Sequence, residues 1–134
     1  MEHHMKVTFP GGVRAEAEYK GFHILSDQPV YAGGEGSAPA PFDLFLASIA
    51  NCAGFYVLYF CTHRGIPTEN ISLTMRMDKN PSSRMIGKLV LDIFLPREFP
   101  EKYAGAVVKA VDGCSVKAHL LQPPEFIIST HIES

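Results

Sequence analysis

The chain predicts an α+β fold in which an antiparallel sheet wraps around one long buried central helix. Three observations carry this. Short stretches of period-two alternation open the chain and return after residue 70. One apolar run, from Pro41 to His63, is too long for a strand and is closed by Gly65 and Pro67. Two further helical patterns follow, one from Phe99 to Val111 and one from Cys114 to Leu121. A strand turns successive side chains to opposite faces, whereas a helix returns to the same face every third or fourth residue, so the two patterns are separable. The predicted order is βββ-α-ββ-α-α-β in a single domain spanning residues 1–134, with residues 1–5 a detached terminus.

Each element has its own signal. Lys6 to Phe9 forms the first strand, stopped by the turn Pro10-Gly11-Gly12. Val13, Ala15, Ala17 and Tyr19 alternate with Arg14, Glu16 and Glu18, giving a half-buried second strand. Lys20-Gly21 turns the chain into a third, Phe22 to Leu25. Residues 26–41 are rich in glycine and proline and predict a mobile loop; the glycines fit neither a P-loop nor a dinucleotide fingerprint. Pro41 suits the first turn of a helix, where its missing N–H costs nothing. Ile71 to Met77 alternates and pairs with Met85 to Leu95 across a turn holding Asn80-Pro81. Tyr103, Ala106, Val107 and Ala110 then fall at helical spacing until Asp112-Gly113. Cys114 to Leu121 is a short helix stopped by Pro123-Pro124, and Glu125 to Ile132 predicts a final strand with Phe126 and Ile128 on one face.

Composition narrows the function. At 46% hydrophobic and 19% charged residues the chain fills a core and is not disordered. A net charge of −2 with scattered basic residues favours neither nucleic acid nor an anionic membrane. Three cysteines are not a secreted disulfide scaffold, and the first ten residues lack a signal-peptide core, so a cytoplasmic protein is expected. His3 and His4 belong to the detached terminus, and Cys/His clusters at ligand spacing are missing, so no metal site is expected. Phe42 to Cys61 reaches the about 20 residues a membrane span needs. Asp43, Ser48 and Asn51 interrupt it, and a helix apolar all round equally suits the centre of a dimer.

Chemistry centres on Cys52, inside the long helix, and Cys114, 62 residues later. At about 100° per residue, Cys61 and Asp43 each lie about 180° from Cys52. Cys114 is therefore the remaining intrachain partner for Cys52. Phe45, Ser48, Phe55, Tyr56 and Tyr59 share the Cys52 side; Phe45, Phe55 and Tyr56 could line an apolar pocket. Cys114 stands near a helix N-terminus, which stabilises a thiolate, with Lys117 one turn on. Cys52 is mid-helix, and its ionisation calls for a cation from elsewhere, such as Arg14. From composition alone, a redox pair and two buried core cysteines are equally open. Cys61 reads as core filler, His63 and Arg64 as helix-end residues, and His119 as a surface or capping residue. His23 and His131 show no ligand spacing.

Ala38-Pro39-Ala40-Pro41-Phe42-Asp43-Leu44-Phe45-Leu46-Ala47-Ser48-Ile49-Ala50-Asn51-Cys52 resembles the core motif of the OsmC/Ohr family, and Gly113-Cys114-Ser115-Val116-Lys117-Ala118-His119-Leu120 resembles its second motif. The order of elements is similar over nearly the whole chain. The resemblance implies an intertwined homodimer with sites at the subunit interface, and a peroxiredoxin-like organic hydroperoxide reductase. It implies Cys52 as peroxidatic and Cys114 as resolving residue, no bound cofactor, and an external thiol reductant, of lipoyl type in the best-known branch. The peroxidase branches carry glutamate ten residues before the first cysteine, where this chain has Phe42. The acid stands one residue later, at Asp43, as in a less characterised OsmC-like branch. Arg14 is the candidate for the supporting arginine, and Glu35 a second candidate for the acid. Two rival readings stand beside the enzyme: a non-catalytic dimer that binds a small ligand or senses oxidants, and a purely structural dimer module.

Overall fold

The computed structural model of the protein describes residues 4–133. The expectations placed on Met1 to His3 lie outside the described residues. The chain forms two compact units that divide between Ser48 and Ile49, within the long helix, and each is described by itself.

The first unit holds a three-stranded antiparallel sheet, β1 (Lys6–Gly11), β2 (Arg14–Tyr19) and β3 (Phe22–Ser26), in the order β1-β2-β3. Tyr19 pairs with Phe22, leaving Lys20 and Gly21 as a two-residue turn. Both have positive φ, 52° and 82°, as a turn that matches the twist of its strands requires.

The segment after β3 is not the mobile loop its composition predicts. Asp27 is buried and its carboxylate gathers the segment. One oxygen accepts the Gln28 N–H at 2.8 Å; the other accepts the Glu35 N–H at 3.3 Å, the Ser37 N–H at 3.0 Å and the Ser37 hydroxyl at 2.6 Å. These bonds favour the ionised form and hold its pKa near 2: the Ser37 hydroxyl contributes most, then the Ser37 and Gln28 N–H groups, with burial opposing. Gly34 is needed because the chain crosses itself here; a Cβ would stand 2.0 Å from the Gln28 carbonyl oxygen. The segment delivers the chain to α1 (Pro41–Thr62). Asp43 starts that helix by reaching back to accept the Ala40 N–H at 3.0 Å. Gly65, at φ 63°, ends it, with the Ile66 N–H closing onto the Cys61 carbonyl.

The second unit packs the later turns of α1 with β4 (Ser72–Lys79), β5 (Ile86–Phe94), α2 (Ala104–Asp112) and α3 (Ser115–Leu121). Ile49, Ala53, Val57, Phe60 and Cys61 are the buried residues of α1, a stripe at helical spacing. Val57, Phe60 and Cys61 form a core with Phe99 and Val107, and Ile93 and Tyr103 pack on it. Val107 is 1% exposed, and burying a side chain of this size contributes about 1.5–3 kcal/mol. Arg64 covers one end of the core: its guanidinium lies 3.7 Å from the Phe60 ring centre and donates to the Phe60 carbonyl at 3.2 Å.

Three features depart from expectation. There are two antiparallel sheets rather than one, because β4 and β5 pair only with each other. The long helix is covered along one stripe and not all round; Phe55, Leu58 and Tyr59 are about half exposed. By length and composition this helix could cross a membrane. The final strand is absent: residues 123–133 form no ladder, and Phe126 and Ile128 are 80% and 89% exposed. Alternation supplies a strand with faces, but its N–H and C=O groups also need an edge to pair with, and no described strand of this chain provides one. Up to α3 the predicted order of strands and helices stands.

Candidate thiol site

A tight connection brings the two cysteines together within the second unit. After α2, the Gly113 N–H bonds the Ala110 carbonyl and the Cys114 N–H bonds the Val111 carbonyl. Cys114 takes an extended conformation (φ −57°, ψ 129°) and caps α3, its carbonyl accepting the Ala118 N–H at 3.0 Å. The first turn of a helix has N–H groups with no partner inside the helix. Here the N–H groups of Ser115 and Val116, the Cys114 thiol and the Ser115 hydroxyl all favour the ionised form of the Cys52 sulfur. The Ser115 oxygen lies 3.9 Å from the Cys52 sulfur. All three cysteines are free thiols.

The two facing sulfurs are driven apart in acidity. Burial pushes the Cys52 thiol up, but hydrogen bonds from Cys114, Val116 and Ser115 outweigh it and bring the pKa below its ordinary value. Cys114 is only 4% exposed; burial raises its pKa first, and its hydrogen bond to Cys52 raises it further. The N–H groups of Lys117 and Val116 oppose this without reversing it. Of the two, Cys52 is therefore the stronger acid and gives up its proton first. The helix start does help Cys114, as the sequence argument expected, but burial and the contact with Cys52 outweigh it, and the same turn also favours the Cys52 thiolate. Lys117, expected to assist Cys114, is paired with Asp112.

The groups within the second unit that lower the Cys52 pKa are neutral donors. Arg14 donates through Nε to the Gly11 carbonyl at 3.1 Å, inside its own hairpin. Glu35 takes part in the Asp27 cluster through its N–H, and Asp43 caps α1. Arg14, Glu35, Asp43 and Phe45 belong to the first unit and the two cysteines to the second. Phe45 packs against Phe42, and Phe55 makes ring contacts with Tyr56 and Tyr59.

A cavity of about 620 Å³ lies beside Cys114. Leu89, Leu91 and Ile93, alternate residues of one β5 face, form one wall, and Val107 and Val111 of α2 form another. Phe45, Phe55 and Tyr56 are not among its lining residues. Cys61 is 0% exposed in the core, and burial raises its pKa while Arg64 pulls against it. His119 is exposed and its Nδ1 donates to the Ser115 carbonyl at 2.7 Å. Among the described residues, no group of three His, Cys, Asp or Glu side chains could hold a metal ion. Sequence reasoning missed Ser115; the available signal was a hydroxyl directly following one cysteine of the pair.

Comparison with known proteins agrees with this arrangement of elements. Residues 34–129 match the family model described as OsmC-like protein. No curated protein matches the chain. Among solved structures, a hypothetical protein from Aquifex aeolicus VF5 is similar at TM-score 0.70 with 16% identity, over 92% of this chain and 89% of that one. An OsmC-like protein from Mycoplasma pneumoniae is similar at TM-score 0.66 with 14% identity, over 92% and 89%. The organic hydroperoxide resistance protein OsmC of Legionella pneumophila is similar at TM-score 0.54 with 20% identity, over 90% and 89%. The structural likenesses carry the fold, and the family match covers both cysteine-bearing segments: the chain belongs to the OsmC-like protein family.

Proposed function

We propose that the protein is a thiol-dependent peroxidase that reduces organic hydroperoxides. The observation that supports this most directly is the placement of the Cys52 sulfur against the Cys114–Ser115 turn, 3.9 Å from the Ser115 hydroxyl, where Cys52 is shifted to the lower pKa and Cys114 to the higher. A peroxidatic sulfur must be ionised to attack, and a resolving sulfur must wait in its protonated form. The Cys52 thiolate attacks the distal oxygen of the hydroperoxide; the O–O bond breaks, and the alkoxide takes a proton and leaves as an alcohol. Cys52 is left as a sulfenic acid. Cys114 gives up its proton and attacks the Cys52 sulfur; the S–O bond breaks, water leaves and a disulfide forms. An external dithiol, of lipoyl type, returns both sulfurs to the reduced state and becomes a disulfide itself.

The working form is a homodimer in the cytoplasm. The half-exposed face of α1 and the unpaired apolar tail at residues 125–132 both call for cover, and a second copy of the chain supplies it better than a bilayer would. The test is consumption of an organic hydroperoxide with a dithiol reductant by the wild type and Cys52→Ser. Turnover lost in the variant supports the reading; wild-type turnover at background overturns it.

A second reading is favoured by the apolar cavity beside Cys114: a dimer that binds a small apolar ligand or senses oxidants without rapid turnover. Mass spectrometry after a stoichiometric pulse of hydroperoxide separates the two. Rapid, selective Cys52–Cys114 disulfide formation belongs to the enzyme, and slow oxidation spread over the thiols belongs to the binding protein.

A further inference from the structure

We infer that Ser115 is a third functional residue of the thiol pair, its hydroxyl donating to the Cys52 sulfur and holding it in the reactive form. The inference rests on the reading of Cys52 as the attacking sulfur and goes beyond it by naming a group that touches the reacting atom. Three observations carry it. The Ser115 Oγ lies 3.9 Å from the Cys52 Sγ, and this is the hydrogen-bonding contact of that hydroxyl among the described residues. The Ser115 backbone is fixed: the Cys114 carbonyl before it accepts the Ala118 N–H, and its own carbonyl accepts His119 Nδ1. The side chain is exposed, so the hydroxyl has no packing duty that would explain its place.

The chemistry gives the contact a direction. A thiolate has no proton to donate, so in the ionised state the hydroxyl is the donor and the sulfur the acceptor. A catalytic hydrogen bond is often long in the resting protein and tightens when the reacting group is charged or bound. The bond also belongs to one redox state only. In a Cys52–Cys114 disulfide the Cys52 sulfur carries no charge, and the hydroxyl loses its strong acceptor. Ser115 therefore favours the reduced pair over the disulfide, making the pair a stronger oxidant of its reductant.

The experiment compares wild type, Ser115→Ala and Ser115→Thr by two readouts that do not depend on peroxide turnover. The first is the pH dependence of Cys52 alkylation by iodoacetamide, followed on the Cys52 peptide by mass spectrometry. The second is the disulfide fraction in glutathione redox buffers. Loss of the hydroxyl is expected to raise the alkylation midpoint by roughly 0.3 to 0.5 pH unit. It should also shift the redox equilibrium by a matching factor towards the disulfide, and Ser115→Thr should restore both. A Ser115→Ala midpoint equal to wild type overturns the inference, as does a Ser115→Thr midpoint equal to that of Ser115→Ala. Hydroperoxide consumption is measured on the same samples. If the wild type fails to turn over while the midpoint still moves with the hydroxyl, the peroxidase reading falls and the role of Ser115 stands.

Discussion

Removing the Cys114 thiol should make Cys52 a weaker acid, although Cys114 is the more buried sulfur and carries no charge. The Cys114 S–H is the largest of the contributions that lower the Cys52 pKa. A hydrogen bond to an ionised acceptor contributes about 1.5–3 kcal/mol. Cys52 is only partly buried, and water replaces some of what is lost, so about 1 kcal/mol is the appropriate figure. At 1.36 kcal/mol per unit this is a rise of about 0.7 pKa unit, or about fivefold less thiolate at a pH well below the midpoint. The variants are Cys114→Ala, which deletes the donor, and Cys114→Ser, which keeps a hydroxyl in its place and should stay closer to wild type. The assay is the rate of Cys52 alkylation against pH, read on the Cys52 peptide. Cys61, fully buried and raised in pKa, should remain unlabelled and serve as an internal control for folding. A Cys114→Ala midpoint at or below the wild-type value would refute the view that the sulfur–sulfur hydrogen bond sets the acidity of Cys52.

Three further outcomes follow from the packing. The Asp27 carboxylate titrates near 2 in the folded protein against an ordinary 3.8, so its contribution is complete above about pH 3.8 and is lost as pH falls through about 2. Asp27→Asn should lower the thermal midpoint at neutral pH and flatten the loss of stability over that acid window, as circular dichroism melts would show. Gly34→Ala forces a methyl onto the Gln28 carbonyl oxygen, so the segment must shift; a cost of about 1–3 kcal/mol in calorimetry is expected, and an unchanged melt would contradict the crossing described above. Val107→Ala removes two buried carbons from the core around Phe60 and Cys61. Urea unfolding should report a loss of about 2–3 kcal/mol.

The elements were legible where local pattern decides them. The span of α1 follows from Pro41 and Gly65, and the hairpin β4–β5 from the alternation on either side of Asn80-Pro81. What failed depends on groups distant in sequence. The tail at 125–132 carries a strand pattern, but pairing requires an edge that a linear pattern cannot supply. The loop composition of residues 26–41 hid the carboxylate that organises it, because Asp27 meets its partners up to ten residues away. At the thiol site the nearness of Cys52 and Cys114 was legible, but the balance of burial and donors between them was not. Spacing shows that Cys114 precedes a helix; it does not show that the same turn also favours the Cys52 thiolate.

The greater acidity of Cys52 beside Cys114 ties the proton stoichiometry of oxidation to pH. A dithiol with both protons in place converts one hydroperoxide to alcohol and water with no exchange with the solvent. A pair holding a single proton lacks one of the two that the water molecule requires, and must draw it from the buffer. Each oxidation that starts from the singly protonated pair therefore consumes one solvent proton, and each reduction by a fully protonated dithiol back to that pair returns it. In a weakly buffered solution with an indicator dye, a stoichiometric pulse of hydroperoxide would register as a transient rise in pH, whose size counts the thiolates present at the start.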